Sequence, residues 1–266
     1  MTTDPANVGA SFVNEFLEMD VSDQVSELTK DDIPHPKPGR MRSIDTNLFF
    51  KGIRQNGNKR CRDLFCDLLC ANLGQRLDIP TPPQVAVDHS ALGIGLISPF
   101  LTGTNGIAVT DYNDLVNTED VPLLCIFEEW VMNTDDKTKH FWTVATGDGP
   151  KLYIVDHGHT LHRANNFGDP DAVSDHAKIH QSVGKSHYYF DTVDAVRPGV
   201  SQIQQLKDEG IADMIDQTVG ELQALEAADA DMQTFLDEAD EHQQTVLNVL
   251  TERRDHLDTI MHDKFV

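Results

Sequence analysis

Two aspartates in this 266-residue chain stand where an acid can do more than hold a turn. Asp135 lies in a polar stretch, Asn133-Thr134-Asp135-Asp136-Lys137-Thr138-Lys139-His140, and Asp156 ends an apolar run, Ile154-Val155-Asp156-His157-Gly158. Between them the pattern alternates over 141–146, breaks at Gly147-Asp148-Gly149-Pro150, and resumes over 152–155, which predicts a hairpin. A hairpin returns the chain to where it left, so it carries the second carboxylate back beside the first. One Asp to accept a hydroxyl proton, a residue five positions on to bind a metal ion, and a second Asp to hold the principal metal is the layout of phosphoryl transfer. Here the residue five after Asp135 is His140, and Lys137 lies within reach of a transferred phosphate.

A third charged residue needs a reason for its place. Lys51 sits in the apolar run Leu48-Phe49-Phe50-Lys51-Gly52-Ile53, and lysines are rarely buried unpaired. Sixteen residues on, inside a helical pattern, comes Asp67. A strand lysine oriented by a helix carboxylate, with its ammonium on nucleotide phosphates, is the other half of the same machinery. Taken singly, each residue has an ordinary explanation as a turn, cap or surface group; the ordered set is far more specific. A competing chemistry uses His157, His159 and His162, whose HxHxxH spacing beside Asp156 suits a transition metal and a hydrolase. Surface polar residues in a chain with 12 histidines are the plain alternative.

The elements that must position these residues are readable from periodicity. Residues 48–53 read as a buried strand and 55–58 as a turn. Residues 60–77 carry Leu64, Leu68, Leu73, Phe65, Leu69 and Leu77 at helical spacing and end at Asp78-Ile79-Pro80. Short strands follow at 85–87 and 93–97. Thr102-Gly103-Thr104-Asn105-Gly106 is the expected hinge or boundary. Beyond it, 122–131 reads as a helix with Leu124, Phe127 and Val131 on one side, and 200–262 as three helices, the last from about 230. Its core stripe is Phe235, Val246, Leu247, Leu250, Leu257 and Ile260. Residues 1–40, with Pro34, Pro36 and Pro38, read as a partly irregular extension holding at most a helical turn at 12–17.

Four blocks resemble the HipA-like kinases, in particular the stand-alone proteins similar to the HipA kinase core. They are 50–82, with Arg62-Asp63-Leu64-Phe65-Cys66-Asp67; 127–135, Phe127-Glu128-Glu129-Trp130-Val131-Met132-Asn133-Thr134-Asp135; 153–159, Tyr153-Ile154-Val155-Asp156-His157-Gly158-His159; and 250–257, Leu250-Thr251-Glu252-Arg253-Arg254-Asp255-His256-Leu257. The likeness spans about residues 48–260. It implies an α+β, two-lobed protein-kinase-like fold: a small mixed nucleotide-binding lobe at 41–103 and a mainly helical catalytic lobe at 104–266. It implies ATP and Mg²⁺ (or Mn²⁺ if His140 is a ligand), with transfer to a Ser/Thr or other hydroxyl of an unknown protein or small-molecule acceptor. Asp135 and Lys137 would be catalytic, Lys51 and Asp67 would serve the phosphates, and Asp156 with His140 the metal. The backbone near Ser98, Phe100 and Leu101 would meet the adenine. The chain departs from the family pattern in having His140 where Asn is expected and Asp67 where Glu is usual. A nucleotide-binding pseudokinase that serves as an interaction module is therefore the alternative.

Charge narrows the partners. Asp and Glu number 44 against 21 Lys and Arg, a net −23, and 32 of the 44 acids are Asp. Such a surface repels nucleic acid and anionic membranes, and it is tolerable where salt screens it. The Asp-rich, Lys-poor balance points to a cytoplasmic protein of a salt-accumulating halophile. No apolar run approaches the roughly 20 residues of a membrane helix, and the start lacks a secretory pattern. Cys61, Cys66, Cys70 and Cys125 form no CxxC pair and read as buried free thiols.

Overall fold

A computed structural model describes residues 48–52, 59–89, 93–99, 103–105, 112–133, 140–161, 189–225 and 230–265. The readings made for 1–40, the turn at 55–58, Asp135, Lys137, Phe100, Leu101 and His162 lie outside the described residues.

The fold is mixed α+β. Strand β1 (Leu48–Gly52), helix α1 (Lys59–Arg76), strand β2 (Val85–His89) and strand β3 (Gly93–Pro99) come first. β3 lies central in an antiparallel sheet of order β1-β3-β2. Its position explains its sequence: residues 94–98 are all buried, so Ile94, Leu96 and Ile97 need no polar face. Lys51 pairs in register with Leu96. α1 is buried along most of its length and ends as expected, with Asp78 in the left-handed region (φ 56°) and the Ile79 N–H donating back to Gly74 O at 2.8 Å.

The expected hinge contains strand β4 (Gly103–Asn105), which pairs with β5 (Phe141–Thr146). β5 in turn pairs with β6 (Gly149–Ile154) in a second three-stranded sheet, β4-β5-β6. The Thr146↔Gly149 pairing leaves Gly147 and Asp148 as the two-residue turn. Asn117 binds β6 as a strand would: its side chain accepts from Leu152 N (2.9 Å) and donates to Leu152 O (3.1 Å).

Helix α2 (Val121–Trp130) differs from its one-sided reading, because all ten of its residues are buried. It packs against β6, against α3 (Val193–Gln204) and against a long terminal helix, α6 (Ala239–Phe265). The α3 contact is close: a Cβ on Gly199 would lie 2.7 Å from Pro122 O. Between them in sequence come α4 (Asp208–Gln223) and α5 (Ala230–Asp237). Among its described residues the C-terminal region thus has four helices rather than three. The first begins at Val193, capped by Thr192 Oγ1 accepting from Ala195 N, and the expected last helix breaks at Glu238. Of the expected stripe, Phe235, Val246, Leu250, Leu257 and Ile260 are buried and Leu247 is half-buried. One contiguous core joins α1, α2, β6 and the C-terminal helices.

Two adjacent glutamates, Glu128 and Glu129, are fully buried in α2. Glu129 faces α6, where Arg253 Nη2 donates to its Oε1 (3.0 Å) and Lys264 Nζ to its Oε2 (3.0 Å). Arg253 Nε also donates to Trp130 O (3.1 Å), and Trp130 Nε1 donates to Leu250 O (2.8 Å). The terminal helix is therefore pinned to the end of α2 from which the Asp135 segment departs.

Candidate active site

Three elements far apart in sequence meet at Lys51. Its Nζ donates to Asp67 Oδ2, on α1, and to Asp156 Oδ1 at 2.8 Å, beyond β6. Asp67 is 1% exposed, whereas the Asp156 side chain is 46% exposed, so the pair has an inner and an outer carboxylate. The other oxygen of Asp156, Oδ2, lies 3.6 Å from His140 Nε2. His140 is buried at the head of β5, and its carbonyl accepts from Val155 N (3.0 Å). The hairpin thus carries Asp156 back beside the residue at which the Asp135 segment ends.

Local backbone shapes this corner. Asp156 adopts a left-handed conformation (φ 67°), which turns its side chain out of the strand pleat; Asp tolerates that conformation better than most residues. Gly158 follows at the closest approach. A Cβ there would lie 2.8 Å from Lys51 Nζ and 3.1 Å from Asp67 Oδ2, so a glycine lets this turn sit on the Lys51–Asp67 pair without displacing either side chain.

The electrostatics follow from the packing. Burial opposes charge on Lys51, but Asp67 and Asp156 outweigh it and hold the ammonium above the ordinary lysine range. Burial likewise opposes charge on Asp156, and Lys51, with smaller help from the two histidines, overcomes this and holds the carboxyl well below the usual carboxylate range. The site therefore presents a fixed cation and a half-exposed, fully ionised carboxylate side by side. That arrangement can take a ligand bearing both an anion and a bound cation.

Of the other expected site residues, Ser98 is buried near the end of β3. His157 does not face solvent as a metal ligand: it is fully buried, and its Nε2 donates to Glu128 Oε1 at 2.7 Å. Burial opposes its charge, yet the Glu128 carboxylate raises its pKa above the ordinary imidazole value. His159 is half-buried. No group of three or more His, Cys, Asp or Glu is placed to hold a metal among the described residues. All four cysteines are buried and in no disulfide, with Cys66 Sγ 3.6 Å from Thr160 O.

Glu128 and Asn133 were given no role from sequence, although Glu128 left a signal. In the run 121–132 only Glu128 and Glu129 are charged. A helix apolar on every other face is buried, and its acids are buried with it.

No protein-family model matches the chain, and no curated protein is detectably similar to it in sequence. A solved structure of a Helicobacter pylori proinflammatory kinase, CtkA, is distantly similar, with a TM-score of 0.44 and 10% identity. The match covers 82% of this chain and 90% of that one. Among the described residues no helix is long and apolar enough to cross a membrane.

Proposed function

We propose that this chain is an ATP-dependent phosphotransferase of the HipA-like kinase type, moving a γ-phosphate to a Ser/Thr or other hydroxyl acceptor. The observation that carries the reading is Lys51 bonded at once to Asp67, 16 residues on, and to Asp156, 105 residues on. A lysine fixed between a buried helix carboxylate and a half-exposed carboxylate after a hairpin suits the phosphate-binding end of a kinase cleft. In this reading the first sheet and α1 form the nucleotide lobe and the rest the catalytic lobe. Lys51 steadies the α- and β-phosphates, and Asp67 orients it. The chain around Ser98, Phe100 and Leu101 receives the adenine. Asp135 accepts the proton of the acceptor hydroxyl, and Lys137 meets the transferred phosphate.

Two groups here suit a divalent ion, with no third His, Cys, Asp or Glu beside them among the described residues. Asp156 is ionised and half-exposed, and an imidazole nitrogen stands 3.6 Å from its second oxygen. Asp156 with His140 would hold Mg²⁺, or Mn²⁺, for which imidazole is the better-suited ligand. When bound, the ion neutralises charge on the phosphates. The Asp-rich surface accords with a cytoplasmic setting of high salt.

Incubation with γ-labelled ATP and Mg²⁺ or Mn²⁺ tests the reading. Label should appear on the protein or as released phosphate, and Asp135→Asn should abolish this while still binding ATP. ATP binding without transfer under either metal would leave a pseudokinase.

A further inference from the structure

The proposed chemistry does not use Glu128, yet this carboxylate occupies the most constrained position near the site. It is fully buried, and both of its oxygens are committed. Oε1 accepts from His157 Nε2 and Oε2 from Asn133 Nδ2, each at 2.7 Å. His157 directly follows Asp156, and Asn133 is the residue at which the described chain leaves α2. The backbone repeats the tie. Asn133 N donates to Glu128 O (3.0 Å) and Met132 N to Glu129 O (3.2 Å), an αL helix end with Met132 at φ 53°. Leu161 N, from the turn after Asp156, donates to Val131 O (2.9 Å). The Phe127 ring meets the His157 ring edge-on with centroids 5.7 Å apart, which fixes the imidazole plane.

A leucine would fill this place in an apolar helix without desolvating a charge. A buried acid bonded to two separate segments does what a leucine cannot: it sets their spacing and orientation through two directional bonds. We infer that Glu128 is a positioning residue, holding the exit of α2 at Asn133 in register with the His157 turn that presents Asp156. The inference rests on the phosphotransferase reading, in which Asp135 follows two residues after Asn133. In that reading Glu128 governs where the Asp156 carboxylate stands relative to the exit of α2, while nucleotide affinity, set at Lys51, is left alone.

The experiment compares kcat and KM for ATP–Mg²⁺ in the full chain, by release or transfer of labelled phosphate. The proteins are wild type, Glu128→Gln and the double variant Glu128→Leu/His157→Leu. The Gln side chain can keep both contacts with one bond reversed, its Oε1 accepting from Asn133 Nδ2 and its Nε2 donating to Nε2 of a neutral His157, so kcat should stay within about threefold of wild type. The double variant replaces a buried ionic pair by apolar groups, a change that is often neutral or stabilising. It should stay folded, melting within a few degrees of wild type because Asn133 Nδ2 loses its Glu128 acceptor, with an unchanged KM, while kcat falls about 100-fold, the scale of a misplacement of roughly 1 Å. A folded double variant with wild-type kcat overturns the inference, as does a Gln variant as slow as the double. A double variant that does not fold makes the pair a stability element and overturns it too. An inactive wild type overturns the phosphotransferase reading itself, whereas an active wild type beside an unimpaired double variant overturns only the role of Glu128.

Discussion

Adding one methyl group at Gly158 tests whether the Lys51 corner is a nucleotide site. Gly158 does not have a positive φ, so alanine brings no backbone strain and its effect is steric. The new Cβ would lie 2.8 Å from Lys51 Nζ, and ordinary contact begins near 3.4 Å, so the ammonium must retreat by about 0.6 Å. A phosphate oxygen held by the ammonium at about 2.8 Å would be left about 3.4 Å away, beyond the hydrogen-bond range. A hydrogen bond between charged groups contributes about 1.5–3 kcal/mol, and the half-exposure of this corner at Asp156 places a Lys51–phosphate bond near the low end. A loss of about 1.5 kcal/mol corresponds to roughly tenfold weaker ATP–Mg²⁺ binding. The displaced atom is the tip of a flexible side chain, so the fold itself should lose only a few degrees in melting temperature. Isothermal titration of wild type and Gly158→Ala with ATP–Mg²⁺, with melting curves of both, gives the two numbers. Equal affinities in the two proteins would refute the argument that Lys51 holds the phosphates.

Three further outcomes follow from the packing and the charge. Arg253→Ala removes the principal partner of the buried Glu129, and breaking such a pair costs about 3–5 kcal/mol. Because Lys264 remains, the low end applies, and melting should fall by about 6–12 °C; a fall under about 2 °C would contradict the pinning of α6 to α2. Burial pushes the Cys66 thiol up to about 12, so at pH 8 it stays protonated and should react with a thiol reagent only on unfolding; rapid labelling of the native protein would contradict its burial. With a net charge of −23, the melting temperature should climb between roughly 0.1 and 2 M KCl as the Debye length shrinks from about 10 Å to below 3 Å, and a flat profile would remove the halophile reading.

Periodicity made β1, α1 and the β5–β6 hairpin legible, because each repeats one signal over several residues and ends at turn chemistry. It failed where position, not pattern, decides. The start of α3 was read seven residues late, since Pro198 looks like a breaker yet sits inside the helix beyond the Thr192 cap. The break at Glu238 lies in a continuous amphipathic run without Gly or Pro; there His242 N donates to Glu238 O, and the His242 ring stacks on Phe235 at 5.0 Å. Around Lys51, the pair with Asp67 was legible because a lysine in an apolar strand demands a partner, and Asp156 because it ends an apolar strand after a hairpin; the bond from Lys51 to Asp156 was not. The inward turn of His157 onto Glu128 was not, because spacing alone does not say which way a loop histidine points.

The central claim is that Lys51, Asp67 and Asp156 form the phosphate and metal end of a nucleotide site. The most direct measurement is the thermal shift caused by ATP, with and without Mg²⁺, in wild type and in Asp156→Asn. In the wild type, ATP should stabilise the protein and Mg²⁺ should add to that shift, since a ligand bound only to the folded state raises its melting temperature. In Asp156→Asn the Mg²⁺-dependent part should vanish while the shift with ATP alone persists. A wild type that ATP does not stabilise under either condition would contradict the claim, as would an Asp156→Asn variant that keeps the full Mg²⁺-dependent shift.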